Sequence, residues 1–352
     1  MYQSEKIGYM NVYCSLRIRL ISLITLCITL SLSSCTVSQL GTVVVKDFQV
    51  RETLSGTRID LERAEYLSNM VESAGDYYVF NAIKAPYCFQ VYDKDFHLVD
   101  TIVPKGGGPG ELSGQSLYLG QWSGEYSSPS LLVYSDAKRK LIEFPLNKPH
   151  HLSTVTDLSN LKNILPKFVY RAQNGIIYGT SLAVNNAGGL FSYNPSTLEV
   201  KMSEPPFEFA SDLSPYYATQ QTMAMDTDSR RLFTAYINYP CVAEYDTDLN
   251  VENRYNIMES INTATLTKDS QYPELINIRI HNGKLVVLYA PQDDREHSIK
   301  LIGTDGKAIA SYAVGNAIWY LIDERSNRLL TVHYDTDKDI IYIMQYPLPT
   351  TF

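Results

Sequence analysis

The stretch "YYVFNAIKAPYCFQVYDKDFHLVDTI", residues 77–102, decides the fold. It contains two apolar runs joined by a few residues, then the tight turn Asp93–Asp95, then a third run that alternates apolar and polar side chains. Alternation of this kind is typical of strands, and Asp is among the residues that accept the backbone angles of a short turn. The stretch therefore predicts one strand followed by a β-hairpin.

The same unit recurs along the chain, roughly every 45–55 residues. A hairpin with a turn of Asp, Asn, Pro or Gly is visible again at 189–203, 241–257 and 297–314. The strand before the hairpin is visible in six copies, at 77–82, 130–136, 175–182, 231–238, 284–291 and 328–335. Another strand is expected before each copy, near Asn69, Leu117, Phe168, Met223, Asn277 and Trp319. Four strands at this period, six times, predict an all-β, six-bladed β-propeller with four-stranded antiparallel blades. The second blade has the weakest fourth strand, within 150–160.

The sixth unit lacks one strand, because its third strand, 340–348, is followed by only a few residues. The segment 41–50 has strand character and no partner of its own. An open edge would expose unpaired backbone groups. We therefore predict that the N-terminal strand 41–50 closes the ring as the outer strand of the last blade.

The first residues have the pattern of an export signal. Arg17 and Arg19 precede an apolar run, 20–32, that is short for a membrane span and suits a signal peptide. The run leads into "LSSC", which resembles a bacterial lipobox and predicts lipidation at Cys35; the alternative is an ordinary signal peptide with an incidental cysteine. The predicted organisation is a lipoprotein signal peptide at 1–34, a lipidated tether at 35–40 and the propeller at 41–352.

The net charge bears on the class of partner, and the cysteine content bears on disulfide formation. Loss of residues 1–34 removes three basic side chains and one acidic side chain, so the formal net charge changes from −8 to −10. An acidic chain of this kind argues against nucleic acid as a partner.

Cys88 and Cys241 are the only cysteines after Cys35. They fall in the first and fourth blades, on opposite sides of the ring, so we expect two free, buried thiols rather than a disulfide.

The glycine-rich stretch "KGGGPGEL", 105–112, lies between the first and second blades. No Lys-Ser/Thr pair and no helical pattern follow it, so it does not fit a phosphate-binding loop. We expect it to carry the chain across the blade, with positive φ at Gly107 and Gly108. The alternative is a ligand contact through backbone amides and Glu111. Its Gly-Pro-Gly-Glu resembles NHL-type propellers, and with the lipobox the chain resembles the TolB-like six-bladed propeller lipoproteins of Gram-negative bacteria. That resemblance implies a binding or scaffolding role and supplies no catalytic residues.

No arrangement of residues points clearly to catalysis, a metal or a cofactor. "DDREH", 293–297, and the Asp-Thr-Asp segments are expected to be solvated loops and hairpin turns, because they lack the spacing of a cation-binding loop. The alternative is a hydrolase or lyase with a metal-dependent site in the central channel. Its candidate residues on or near inner strands are Glu72, Asp226, Asn277 and Asp323.

Binding is the function that the sequence favours. The longest connections between blades, 205–221 and 265–275, share one face of the ring and carry the aromatic residues Phe207, Phe209, Tyr216, Tyr217 and Tyr272. Aromatic residues on long loops are typical of recognition surfaces, although these loops could also pack on their own aromatics. Together with Glu111, these residues form the candidate binding face of a cell-envelope lipoprotein. The expected partners are a membrane through Cys35 and an envelope protein or glycan, on the periplasmic side of the outer membrane. Gly41 is expected at the opposite face, toward the membrane.

Overall fold

The computed structural model describes residues 41–108, 110–113, 117–125, 128–146, 154–182, 189–209, 214–226, 228, 230–267, 271–293 and 295–352. The predicted signal peptide, Cys35 and the tether lie outside these residues. Within them no helix is long or apolar enough to cross a membrane. The helical elements are short: α1 (Pro215–Ala218) and the 3₁₀ segments Ala64–Tyr66 and Thr263–Thr265.

Strands make up nearly all of the described structure. In chain order they are β1 (Thr42–Val45), β2 (Val50–Thr53), β3 (Thr57–Asp60), β4 (Leu67–Ala74), β5 (Tyr77–Ala82), β6 (Tyr87–Tyr92), β7 (Leu98–Pro104), β8 (Leu117–Glu125), β9 (Ser128–Ser135), β10 (Lys140–Pro145), β11 (Thr154–Asp157), β12 (Leu165–Arg171), β13 (Ile177–Leu182), β14 (Gly189–Asn194), β15 (Glu199–Met202), β16 (Gln221–Asp226), β17 (Arg231–Tyr236), β18 (Cys241–Tyr245), β19 (Val251–Ile257), β20 (Glu274–His281), β21 (Lys284–Ala290), β22 (Ser298–Gly303), β23 (Ala308–Ala313), β24 (Ala317–Asp323), β25 (Arg328–Asp335) and β26 (Ile340–Pro347).

These strands form six antiparallel blades, as the repeats predict. The first five blades are β4–β7, β8–β11, β12–β15, β16–β19 and β20–β23, and the sixth is β24–β26 completed by β3. All six expected inner strands are present, as β4, β8, β12, β16, β20 and β24. The fourth strand of the second blade, β11, is a short one, in keeping with its weak sequence pattern.

The middle strands of each blade are buried because both of their faces pack against neighbouring blades. The strands β5, β14 and β18 are almost continuously buried, which explains why their sequences read as apolar runs rather than as clean alternation. Many tyrosines are buried in these layers, and the hydroxyls of several of them donate to the backbone of the adjacent blade. The hydroxyl of Tyr320, for example, donates to the carbonyl oxygen of Val286 at 2.6 Å. Tyrosine thus fills the space between blades and also satisfies buried acceptors.

Ring closure differs from the prediction. The segment 41–50 is not the outer strand of blade six. Instead β1 pairs in parallel with β19 at the edge of blade four, and β2 pairs in parallel with β23 at the edge of blade five. The antiparallel closing strand is β3, which pairs Ile59 with Ile343. The closing strand must lead directly into β4, and only residues 61–66 separate β3 from β4; a strand ending at residue 50 would leave a long loop there.

The route of the N-terminal segment also changes the predicted position of Gly41. Thr42 pairs with Arg254, midway along β19, and β1 runs from there away from the Asp246–Asn250 turn. The direction of β1 is the one expected of an outer strand, but β1 lies at the edge of blade four rather than blade six. The orientation of the ring relative to a membrane stays a prediction.

Both thiols are free and buried, as predicted. Cys88 lies in β6 of blade one and Cys241 in β18 of blade four. Burial raises the pKa of Cys88 to about 11 and that of Cys241 to about 12. Both side chains are therefore unreactive thiols at neutral pH.

The glycine loop is closed by its own glutamate. The Gly108 N–H donates to the Glu111 carboxylate at 2.7 Å, and Lys138 Nζ donates to the Gly108 carbonyl oxygen at 3.2 Å. The expectation of positive φ is wrong for Gly107 and Gly108. The left-handed residue is Gly110, with φ of 78°. The loop crosses between blades as expected, but the position that needs glycine is the one next to Glu111.

We expect Gly110→Ala to lower the free energy of unfolding by about 1 kcal/mol, because a Cβ disfavours positive φ. Gly107→Ala is the matched control, since its added Cβ would have no atom within 4 Å and its φ is not positive. Urea unfolding of the two variants measures the difference. Equal midpoints for both variants would contradict the assignment of Gly110 as the constrained position.

Candidate functional site

The two long loops meet in an aromatic cluster over blade four, centred on Tyr239. The Tyr239 ring centroid lies 5.6 Å from that of Phe209, 6.0 Å from that of Tyr217 and 6.3 Å from that of Tyr272. Tyr239 itself is buried and follows β17 in the short connection to β18. One residue thus joins side chains from two separate loops.

A second layer below Tyr239 fixes the first loop to the blade. The rings of Phe207 and Phe209 lie 5.4 and 5.5 Å from that of Tyr236, at the end of β17. The Thr263 hydroxyl donates to the Glu208 carbonyl oxygen at 2.5 Å, which ties the 3₁₀ segment at the start of the second loop to the first loop. The described parts of these loops are therefore held in place by packing and by hydrogen bonds.

The candidate aromatics divide into supporting and exposed residues. Phe207 is buried, and Phe209 and Tyr272 are partly buried in the cluster. Tyr216 and Tyr217, on α1, have 53% and 38% of their surface exposed. The Asn238 side-chain amide donates to the Tyr217 carbonyl oxygen at 2.7 Å and so positions this short helix. Hereafter the "aromatic loop surface" means Phe209, Tyr216, Tyr217, Tyr239 and Tyr272.

Sequence reasoning missed Tyr236 and Tyr239, on which the cluster rests. Tyr236 ends a core strand and Tyr239 lies in a short connection, and at such positions an aromatic residue in the sequence is expected to be an ordinary core residue. The one available signal is Tyr239-Pro240 at the turn between two strands. The other predicted binding residue, Glu111, is not part of the cluster; its carboxylate accepts from the backbone of its own glycine loop.

The central channel is a second concave site. The six inner strands line a cavity of about 320 Å³ that is open to solvent. Its walls include both tryptophans of the chain, Trp122 and Trp319, together with other flat or soft side chains and a few polar ones. The principal members are Glu72, Gln121, Phe168, Tyr170, Met223, Met225, Asn277 and Arg279.

One ion pair crosses the channel. Arg279 of β20 donates from both terminal nitrogens to the two oxygens of Glu72 on β4, at 2.8 and 3.1 Å. Burial by itself would lower the pKa of Arg279, but the Glu72 carboxylate holds that pKa above its usual range. The pair is bidentate and leaves little net charge in the cavity.

The carboxylates and the amide expected in the channel do not converge on one point. Glu72 is engaged by Arg279, and Asp226 accepts from the Asp228 N–H in the turn after β16. Asp323 binds Tyr78 and Arg328 where blade six meets blade one. Asn277 lies in the cavity wall, and its side-chain oxygen accepts from the Ile278 N–H at 2.9 Å. Over the described part of the chain, no group of three or more His, Cys, Asp and Glu side chains is placed to hold a metal ion.

The charged segments behave mostly as local turns. Asp246 accepts from the N–H groups of Asp248 and Asn250, which fits the expected hairpin turn. In the 293–297 segment, Asp293 pairs with Arg295, and both side chains are exposed. Asp294 lies outside the described residues.

Comparison with known proteins establishes the fold. No protein-family model matches the chain, and no curated protein matches it. Among solved structures, a Bacteroides fragilis protein described as exported is 12% identical over 86% of this chain and 99% of its own, with a TM-score of 0.55. A member of the DUF4221 family from Bacteroides vulgatus is 11% identical over 84% and 98%, with a TM-score of 0.58. Streptogramin B lyase is 13% identical over 83% and 97%, with a TM-score of 0.53. At these identities the similarity concerns the fold alone.

Proposed function

We propose that this propeller is an exported, lipid-anchored binding module of the cell envelope, which uses the aromatic loop surface to hold an envelope protein or glycan. The observation that carries the proposal is the exposure of Tyr216 and Tyr217 on a helix that buried aromatics hold in place. Anchored aromatic side chains bind well because little side-chain freedom is left to lose on association.

The anchor and the location rest on the sequence and on one similar structure. "LSSC" before residue 36 supports lipidation at Cys35, and the description of the Bacteroides fragilis protein as exported supports export. Membership of the TolB-like propeller lipoproteins is part of the same proposal, together with a position on the periplasmic side of the outer membrane. The alternative of a metal-dependent hydrolase or lyase draws no support from the channel, because Glu72 is paired and the other acidic candidates lie elsewhere.

A capture experiment on solubilised membranes tests the proposal. The tagged protein should retain specific envelope components, and the double substitution Tyr216→Ser with Tyr217→Ser should reduce their recovery by about tenfold or more, since interface aromatics often contribute 2 kcal/mol or more. The matched control is Tyr334→Ser, an exposed tyrosine outside the aromatic loop surface. Equal recovery by the double variant and the control would contradict the proposed surface.

A further inference from the structure

A pocket separate from the channel lies on the outer wall of the ring, where β2 covers the edge of blade five beside blade four. Its volume is about 290 Å³, and it opens to solvent. Hereafter the "side pocket" means this cavity, whose polar lining residues are Arg51, Glu52, Thr53, Ser298, Lys300 and Ser311.

Lys300 is a buried cation at the floor of the side pocket. The residue is only 4% exposed, and its Nζ donates to the Ser311 hydroxyl oxygen at 3.1 Å. Nζ also lies 4.9 Å from the ring centroid of Phe48 and 4.5 Å from that of Tyr289. The two rings attract the ammonium group, but they carry no net charge and cannot neutralise it.

The charge of Lys300 has no counterion in the described part of the chain. No acidic side chain there forms an ion pair with it, and its charged neighbours Arg51 and Arg295 are cations. Burial, and then these two arginines, lower the pKa of Lys300 to about 8, so the ammonium form still predominates at pH 7. A buried charge without a counterion costs free energy, so an anion in the side pocket would be favoured.

Three neighbouring strands place further donors on the same face of the sheet as Lys300. Arg51 of β2 pairs with Ser311 of β23, and Ser311 pairs with Lys300 of β22. Residues that are paired across adjacent strands lie on one face of a sheet. The next row on this face adds the hydroxyls of Thr53 and Ser298.

The outer members of this set are accessible to a solute. Arg51 and Thr53 are exposed, and Ser311 is half-buried. One terminal nitrogen of Arg51 donates to the Lys46 carbonyl oxygen at 3.2 Å, which leaves other guanidinium donors for a ligand. Because Lys300 can only donate, the Ser311 oxygen accepts that bond and keeps its own O–H group to donate.

The number of donors favours a phosphate group over a carboxylate. A guanidinium and several hydroxyls that come from three strands suit the tetrahedral oxygens of a phosphate better than the planar pair of a carboxylate. Glu52 is the one acid in the lining, and as the neighbour of Arg51 in β2 its side chain leaves the opposite face of that strand. The volume lies at the lower end of the range of small-molecule sites, so the rest of the ligand is small.

From these observations we propose that the side pocket binds the phosphate group of a small phosphomonoester. Arg51 and the hydroxyls of Ser311 and Thr53 donate to the phosphate oxygens, and Lys300 supplies positive charge from the floor. A soluble ester and a lipid headgroup offer the same group, and the experiment below separates these two sources. The side pocket shares no residue with the aromatic loop surface, so either proposal can fail without the other.

Thermal melting at pH 7, with the ionic strength held constant by sodium chloride, tests the proposal. Purified protein is titrated with glycerol 3-phosphate, with soluble dihexanoyl phosphatidate and with the dicarboxylate malonate. A saturable rise in melting temperature is expected with at least one of the two esters, since a ligand that binds the folded state stabilises it. The ester with the higher affinity identifies the source. No saturable rise with either ester, or a higher affinity for malonate, would overturn the proposal.

Two substitutions test whether the ester binds in the side pocket. Lys300→Met removes the charge and keeps a long side chain, and Arg51→Gln removes the guanidinium and keeps a polar one. Each variant should bind the ester about tenfold more weakly or worse, because hydrogen bonds to charged groups are strong. Without ligand, Lys300→Met should melt no lower than the parent protein, since it no longer buries a charge. A lysine with only a structural role would instead give a lower melting temperature and unchanged affinity.

The matched control is Lys307→Met, at an exposed lysine in the turn between β22 and β23 of the same blade. It changes the net charge by the same amount outside the side pocket, so the affinity should stay as in the parent protein. Parent-like affinity in both Lys300→Met and Arg51→Gln would show that the ester binds elsewhere and would overturn the assignment.

Discussion

A chain that begins at Leu61 is expected to be far less stable than one that begins at Ser55, although the two differ by a single short segment. The shorter chain lacks β3, so the outer edge of β26 is left without a partner in blade six. Four register pairs are lost, and at about 1 kcal/mol for each net hydrogen bond the difference in unfolding free energy is about 4 kcal/mol.

The loss should also affect cooperativity, because β3 joins the last blade to the first. Ile59 packs in a core cluster that contains residues of both blades, among them Phe80 of blade one and Ile343 of blade six. Opening this junction exposes an apolar interface and a strand edge at once. Chemical denaturation followed by circular dichroism, with dye binding to exposed apolar surface, measures both effects.

The chain that begins at Ser55 is the matched reference, since it already lacks β1 and β2. It loses the buried Val45 and Phe48 and should be less stable than the chain that begins at Gly41, but it should still unfold in one transition. Identical denaturation curves for the Ser55 and Leu61 chains would show that ring closure by β3 does not contribute to the free energy of unfolding.

A second large loss of stability is expected for Arg328→Ala, at the same junction of blades six and one. Arg328 donates to Asp323 at 2.8 Å, to Gln345 at 2.8 Å and to the Lys94 carbonyl oxygen at 2.7 Å. Its guanidinium also lies 5.5 Å from the ring centroid of Tyr78. The side chains of Arg328 and Asp323 are only 13% and 11% exposed. Removal of one member of such a pair leaves the other charge uncompensated, so a loss of about 3 kcal/mol is expected.

Ionisation of Asp323 depends on these neighbours. Burial opposes its charge, but hydrogen bonds from Tyr78 and Arg328 hold the pKa of the carboxyl below its usual range. The pKa of Tyr78 is raised, chiefly by burial, so its hydroxyl stays a neutral donor. Without Arg328, Asp323 would lose its nearest cation in a poorly solvated place.

Arg325→Ala is the control for Arg328→Ala, since Arg325 lies in the same turn and pairs with Asp76. Both side chains of that pair are more than half exposed, at 55% and 52%. Exposed pairs of this kind contribute little to stability, so the melting temperature should hardly change. Losses of similar size in the two arginine variants would contradict the structural role assigned to Arg328.

The sequence by itself determined the number of blades, their inner strands and the separation of the two thiols. These features follow from local patterns, since alternation and turn residues within one hairpin do not depend on the rest of the chain. The aromatic character of the long loops was also predictable, because Phe207, Phe209, Tyr216, Tyr217 and Tyr272 lie in two clear insertions.

Only the tertiary structure decided which blade each N-terminal strand joins, which side chain centres the aromatic cluster and which polar groups meet in the channel. The strand pattern of 41–50 would suit the edge of any blade. Which blade it joins depends on the length of chain between this segment and β4. Tyr239 and Arg279 look like ordinary core or strand residues in the sequence. Their roles arise from contacts across loops or across the channel, between residues far apart in the chain, and such contacts exist only once the ring has closed.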